Sequence, residues 1–192
     1  GKFKEISSFF FFFLYVEFVS LKDIDPIPEP KEIGEEIEYN SLLKAKYYAQ
    51  KSGLISLADD SGLFIDGLGG WPGVHTKDTG STDEERLANI LGKAKDLKEG
   101  ERSACFASCV TLYDPRTETW FSGIGISRGY LTREPSGPIE NGMPLDPIFF
   151  DIEAQKVNVH MTVEEKNRYS HRGKALEKIS FYIRNNIAPK QI

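Results

Sequence analysis

Two short stretches of the chain concentrate side chains able to do chemistry. Near the C-terminus, Tyr169-Ser170-His171-Arg172-Gly173-Lys174-Ala175 sets a hydroxyl, an imidazole and a guanidinium side by side, with an ammonium close behind. Such a run of hydrogen-bond donors suits an anion, or the carbonyl oxygens of a base. Far earlier, Leu57-Ala58-Asp59-Asp60-Ser61-Gly62-Leu63 ends an apolar run in paired carboxylates. An acidic site and a cationic site together suggest a substrate that carries phosphate and a metal ion.

Each stretch also has a plainer reading. Asp59 and Asp60 could simply cap a turn with Ser61-Gly62, and Ser170 could be a helix N-cap followed by two solvated basic residues. Adjacent side chains on an extended segment point to opposite sides, so at most one of Asp59 and Asp60 is expected to face a site. That carboxylate could hold Mg2+ or orient a water for attack on phosphorus. Ser170 is not read as an acyl nucleophile: no GxSxG elbow surrounds it, and His171 is too close in sequence to serve as its base. Lys44 and Lys166 lie on or near helix starts, where most lysines are solvated. Asp146 sits between Leu145 and Pro147, ahead of two Phe, and a carboxylate in such apolar surroundings needs a partner. His75 and His160 are isolated, and no cluster has metal-ligand spacing. Neither a Walker A loop nor a GxGxxG string is present.

The elements that must position these residues follow from periodicity and punctuation. A helix is expected from Lys2 to about Phe13 and a strand from Tyr15 to Leu21. Asp25-Pro26-Ile27-Pro28-Glu29-Pro30 reads as a stiff loop. Glu35 to Lys51 reads as a long helix, with Ile37, Leu43 and Tyr47 near helical spacing and Gly53 as its stop. Leu54 to Ala58 reads as a short buried strand that delivers Asp59 and Asp60 at its end. Phe64 to Val74 must turn tightly around Gly69, Gly70, Pro72 and Gly73. Thr82-Asp83-Glu84-Glu85 and Thr162-Val163-Glu164-Glu165 are capping boxes. Ser103 to Tyr113, Thr119 to Ile126 and Gly129 to Thr132 are β-like, and Asp114-Pro115-Arg116-Thr117 is the turn between the first two. Pro144 to Phe150 leads into a short strand, and a last helix runs from His171 to Asn185. Early alternation with antiparallel strands in the middle argues for α/β with a mixed sheet. No internal repeat and no long linker divides the chain.

Composition narrows the functional classes. The chain has 192 residues, 40% of them hydrophobic, enough for one sizeable core or two small lobes. A net charge of −5 argues against a nucleic-acid partner. Cys105 and Cys109 read as buried, reduced thiols, which fits a cytosolic protein. The Phe9–Phe13 run is too short to span a bilayer, so no membrane partner is expected. Lys4-Glu5 precede it, Glu17 interrupts the apolar stretch and no clean small-residue cleavage site follows, so a buried helix is preferred to a signal peptide. The chain begins without Met, and a natural N-terminal segment is expected to lie ahead of it.

The order of the segments carries more than any one of them. Asn40 and Lys44, Ala58-Asp59-Asp60-Ser61-Gly62, Gly69-Gly70-Trp71-Pro72-Gly73-Val74, Asp146-Pro147-Ile148-Phe149, Glu164-Glu165-Lys166 and Ser170-His171-Arg172-Gly173-Lys174-Ala175-Leu176 follow one another over most of the chain. In this the sequence resembles the inosine triphosphate pyrophosphatase family of non-canonical purine nucleoside triphosphate pyrophosphatases. The resemblance implies a single domain over residues 1–192 with an elongated α/β fold, a central mixed sheet and two lobes around a cleft. It implies a cytosolic homodimer and Mg2+-dependent hydrolysis of dITP, ITP or XTP to the monophosphate and pyrophosphate. By the same resemblance Asp60 is the catalytic acidic residue, binding Mg2+ or positioning the attacking water, with Asp59 beside it at the metal. Lys2 and Lys44 hold phosphates, Asn40 and Ser61 lie in the substrate-binding segments, and Asp146, Lys166, His171 and Arg172 match nucleotide-recognition positions. A 6-oxo purine offers an acceptor where adenine offers a donor, so a donor-rich pocket favours inosine or xanthine.

The chain departs from the family pattern at several points. Its Ser/Thr-x-Asn-x-x-Lys segment retains only Lys2, so the N-terminal strand is expected to be missing from these residues. Tyr39 stands where a metal-binding Glu is usual, and Glu38 or Glu36 could replace it only through a backbone shift. Met143 replaces the aromatic that stacks on the base, Thr76-Lys77-Asp78 replaces Ser-Ala-Arg, and Val159-His160 replaces Ala-Glu. Two other readings remain on the sequence alone: a member that binds nucleotide without turnover, and a phosphatase acting on another phosphorylated small molecule.

Overall fold

A long antiparallel hairpin organises the chain. Strand β3 (Ser103–Asp114) pairs with β4 (Thr119–Leu131) without interruption from Ser103↔Tyr130 to Asp114↔Thr119. The Asp114 carboxylate closes the turn, accepting from Arg116 N and Nε at 2.9 Å each. The break expected after Ile126 is absent, because Ser127 and Arg128 continue the ladder opposite Phe106 and Cys105. The computed structural model describes residues 6, 10, 17–140 and 142–187.

Strand β1 (Ser56–Ile65) pairs along its whole length with β3, from Ser56↔Tyr113 to Ile65↔Ala104. Asp59 and Asp60 therefore lie in mid-strand, not at a strand end as expected. Asp, Ser and Gly favour turns locally, but here ladder pairing overrides that preference. Gly62 does not turn the chain. A Cβ there would collide with the Gly73 carbonyl, so Gly62 admits the short strand β2 (Pro72–Gly73), which pairs only with Leu63 and Phe64. Between β1 and β2 the chain reverses with positive φ at Gly69 and Gly70, as the glycine-rich segment predicts. Strands β5 (Phe149–Asp151) and β6 (Lys156–Val157) complete a six-stranded sheet of order β2-β1-β3-β4-β5-β6. All described pairings are antiparallel, and any parallel pairing that would make the sheet mixed lies outside the described residues.

Helices cover both sheet faces, which makes the fold α/β as expected. Helix α1 (Ile37–Ser52) lies on β1 and β3 and stops at Gly53, whose φ of 72° lets its N–H bond Ala49 O at 2.9 Å. Its buried side is Ile37, Asn40, Ser41, Lys44, Ala45 and Ala49, so Leu43 and Tyr47 are only half-buried. Helix α2 (Asp83–Lys93) opens at the Thr82 capping box, with both bonds of the box formed. Helix α3 (Val163–Tyr169) opens at the Thr162 box in the same way, and α4 (His171–Asn186) follows after Ser170.

Two main cores result. Val110 and Leu112 meet Ala175, Leu176, Ile179 and Ile183 of α4 at one end of the sheet. Leu63, Ile65, Phe106 and Leu131 meet Ile90, Leu145, Ile148 and Phe149 at the other. Cys105 and Cys109 are free thiols, and burial pushes both upward in pKa, as expected for unreactive cysteines.

The expected Lys2–Phe13 helix lies outside the described residues apart from Ile6 and Phe10, which are joined by Phe10 N–H to Ile6 O at 3.2 Å. The expected strand over 15–21 is not present from Glu17 onward. Instead the Asp23 carboxylate accepts from Ser20 N and Oγ at 3.0 and 2.7 Å and closes a turn there.

Helix α4 reaches the sheet through glycine. A Cβ at Gly125 would strike His171 O and Ala175 N, and one at Gly123 would press on Ala175 O. Gly125→Ala is therefore expected to cost about 1–3 kcal/mol by overpacking, read as a lower midpoint in urea unfolding. Gly92→Ala, which meets nothing within 4 Å, is expected to leave that midpoint unchanged or raise it.

Candidate active site

Strand β1 presents its two carboxylates to opposite faces of the sheet. Asp60, paired with Cys109, points toward α1, and Asp59, paired with Val110, points toward α4. On the α1 side Lys44 Nζ donates to Asp60 Oδ1 at 2.7 Å and to Glu32 Oε1 at 2.9 Å. Lys44 and Asp60 are buried, with 9% and 6% exposure. Lys44 thus lies in mid-helix and inward, contrary to the solvated position expected of most lysines. Asn40 Nδ2 donates to Asp60 Oδ2 at 3.4 Å and to Gly34 O at 3.0 Å, while its Oδ1 accepts from Gly34 N at 2.9 Å. One amide therefore clamps the loop ahead of α1 and touches the buried carboxylate.

Electrostatics follow this geometry. Burial pushes the Asp60 carboxyl above its usual range, and Lys44 and Asn40 hold back part of the rise. Burial alone would lower Lys44, but the bonds and charges of Asp60 and Glu32 more than offset it and hold the ammonium above its usual value.

On the α4 side Arg172 Nε and Nη2 donate to Asp59 Oδ2 at 3.2 and 3.1 Å, both side chains being nearly buried. Ser170 is the N-cap that the plainer sequence reading describes, its Oγ accepting from Gly173 N at 3.0 Å, but the two basic residues behind it are not solvated as that reading has them: Arg172 is buried and His171 half-buried. That cap orients His171, whose ring stacks on Phe106 with centroids 4.8 Å apart. Lys166 on α3 donates to Asp146 at 2.6 Å, which supplies the partner that an Asp in apolar surroundings requires.

A cleft of about 990 Å³ brings these groups together. It is lined by Lys44, Asp59, Asp60, Ser61, Asp146, His171 and Arg172, with Met143 at the position of the expected aromatic. The expectation that only one of the two Asp could serve a site does not hold. They do face opposite ways, yet one cleft is lined by both, and among the described residues β2 flanks that side of β1 only at Leu63 and Phe64. Asn40 and Lys166 stand one contact behind the lining, on Asp60 and Asp146. Lys2 lies outside the described residues. Two residues were not singled out from the sequence: Glu32, in an exposed Pro-rich loop with no periodic signal, and Phe106, one apolar residue among many on β3.

A sheet clad on both faces, with carboxylate–cation pairs converging on one cleft, defines an α/β protein suited to an anionic substrate. The chain belongs to the Ham1 family, which residues 1–182 match. It is 40% identical to a dITP/XTP pyrophosphatase of Thermus thermophilus over 167 residues, covering 85% of this chain and 78% of that protein. It is 36% identical to the dITP/XTP pyrophosphatase of Shigella flexneri over 190 residues, covering 96% and 94%. Among solved structures, a HAM1 protein from Coxiella burnetii superposes with a TM-score of 0.83 at 31% identity, covering 96% of this chain and 93% of that one. A dITP/XTP pyrophosphatase from Mycobacterium abscessus gives 0.72 at 32%, covering 92% and 93%.

Two outcomes test these pairs. Arg172→Met leaves Asp59 buried without its guanidinium and is expected to cost about 3–5 kcal/mol in urea unfolding, with Asp59→Asn in the same chain restoring part of it. The raised Lys44 adds stability that is complete below its usual value of 10.5 and fades as pH rises through the higher folded-state value. Lys44→Met should therefore unfold earlier than wild type at neutral pH, and the gap should begin to close only in alkaline solution.

Proposed function

We propose that the protein hydrolyses non-canonical purine nucleoside triphosphates, namely dITP, ITP and XTP, to the monophosphate and pyrophosphate. The observation that carries this reading is the buried Asp60–Lys44 pair, 2.7 Å apart, in the same cleft as His171 and Arg172. Family membership and the names of the relatives point the same way.

In this reading water attacks the α-phosphorus and the bond to the α–β bridging oxygen breaks, so that pyrophosphate leaves. Asp60 orients the water, and its raised pKa suits it to accept a proton. Lys44 meets the negative charge of the triphosphate. Lys166 holds Asp146 from one contact behind, and the His171 ring and the Arg172 guanidinium, which line the cleft, offer donors to the 6-oxo group. An adenine would leave them unpaired, and that mismatch supplies the discrimination.

The resemblance also implies Mg2+, which when bound would neutralise phosphate charge and sharpen the attack. The donor set fits it: Asp60 is a hard oxygen donor beside a point already held by a cation, the Lys44 ammonium. Among the described residues no group of three or more His, Cys, Asp or Glu is placed to hold a metal ion. That suits an ion held by one or two carboxylates together with substrate phosphates. A homodimer and a cytosolic setting belong to the same reading; no described helix is long and apolar enough to cross a membrane.

The direct test is pyrophosphate release by the full natural chain, with ITP against dATP and Mg2+ present or chelated. Release is expected to need Mg2+, to prefer ITP and to fall about 100-fold or more in Asp60→Asn. No release from any oxo-purine triphosphate overturns the proposal.

A further inference from the structure

Lys174 belongs to the donor-rich run that opens at Tyr169, yet it does not line the cleft. Its ammonium donates instead to Ile126 O at 3.2 Å and to Glu153 Oε2 at 2.5 Å. Lys178, one turn further along α4, donates to Ile124 O at 2.7 Å. Two lysines of one helix thus cap two backbone carbonyls of β4.

Those carbonyls lie on a free sheet edge. Strand β5 pairs with β4 only from Gly129 to Leu131, and among the described residues no strand pairs with the outer side of β4 from Trp120 to Ser127. Alternate residues of an antiparallel strand direct their N–H and C=O groups to opposite sides. Arg128 O accepts from Ile152 N on the outer side at 3.1 Å, so the outward groups of the free edge belong to Trp120, Ser122, Ile124 and Ile126. Trp120 to Ser127 carries no charged residue, and the Trp120 and Ile126 side chains are exposed. An edge that is uncharged, exposed and rich in β-formers is a template for another strand.

Backbone geometry brings the ammoniums to alternate carbonyls. Four residues of α-helix rise about 6 Å and two residues of strand advance about 6.8 Å, so Lys174 and Lys178 match Ile126 and Ile124 along two elements that run in opposite directions. Glycine supplies the passage. A Cβ at Gly125 would come within 2.9 Å of the Lys174 Cβ, and one at Gly123 within 3.0 Å of the Lys178 Cβ. With no side chain at either position, the lysine stems cross the strand and reach over its edge.

We propose that Lys174 and Lys178 guard the β4 edge and stop it from pairing with the same edge of a second copy of this chain. The edge suits such a partner, because antiparallel pairing about a two-fold axis sets one run against itself. A docking strand needs the Ile124 and Ile126 carbonyls for its own N–H groups, so it must displace both ammoniums. It would also bring the ammoniums of both copies together, where like charges repel. The guard acts whether or not the cleft hydrolyses nucleotide.

The test is sedimentation velocity over a concentration series, with amide hydrogen exchange, on the full natural chain carrying Lys174→Ser and Lys178→Ser. Assemblies larger than the wild-type particle are expected at concentrations about tenfold or more below those at which wild type first forms them, and in them the Ile124 and Ile126 amides should exchange about tenfold or more slowly. Lys178→Ser alone, at an exposed position, should give the same change in smaller measure. Lys174→Arg with Lys178→Arg, which keeps both cations and their donors, should sediment as wild type does. No new assembly in either Ser variant, or equal assembly in the Arg pair, overturns the proposal. Assembly through unfolding would show as a lower urea midpoint with the two edge amides unprotected, and that result overturns it too.

Discussion

Asp60 is a carboxylate set into a strand face from which water is largely excluded, and Lys44 makes that position tolerable. An isolated charge in such surroundings is strongly unfavourable, and a bonded counter-charge offsets the cost. Much of the local architecture serves this pair. The inward side of α1 carries Asn40, Ser41 and Lys44 where an ordinary core helix would carry Leu or Ile. Ser41 Oγ lies 2.8 Å from Thr111 Oγ1, which lies 2.8 Å from Ser122 Oγ, so the interface below the pair is polar and bonded. Helix α1 gains its place by satisfying these groups as well as by burying Ile37, Ala45 and Ala49.

The opposite face repeats the logic with different parts. Asp59 has the Arg172 guanidinium, and α4 can deliver it because Gly123 and Gly125 let the helix backbone rest directly on β4. The Ser170 cap and the His171–Phe106 stack then fix the first turn of α4. Two acids on neighbouring residues are thus claimed by two helices on two layers. One cleft lined by both reunites them, so phosphate-facing and base-facing groups share a single strand.

Local signals in the sequence were faithful wherever local physics decides. Gly53 stops α1, and Thr82 and Thr162 form full capping boxes, because each depends on residues within one turn. Asp59-Asp60-Ser61-Gly62 misleads, since its turn-forming residues are overruled by a ladder to β3, whose residues lie far along the chain. The positions of Asp60, Lys44, Asp146 and Lys166 could be named from the resemblance, but which cation meets which carboxylate is set by tertiary packing. Glu32 carried no signal, because its meaning comes from Asn40 gripping Gly34. Lys44 looked like a surface residue for the same reason: nothing in α1 alone says that its inner side is polar.

The doubled aspartate also bears on how β1 finds its alignment. A slip of one residue turns every side chain to the other face. Because Asp59 and Asp60 are identical, a slipped strand would still offer an acid to Lys44 or to Arg172, so charge alone discriminates weakly against the error. Gly62 breaks the tie. In the native alignment it meets the Gly73 carbonyl with no side chain between them, whereas a slip in either direction would put Ser61 or Leu63 there and force a Cβ into that oxygen. The glycine after the acidic pair is therefore the steric key that assigns each aspartate to its own helix.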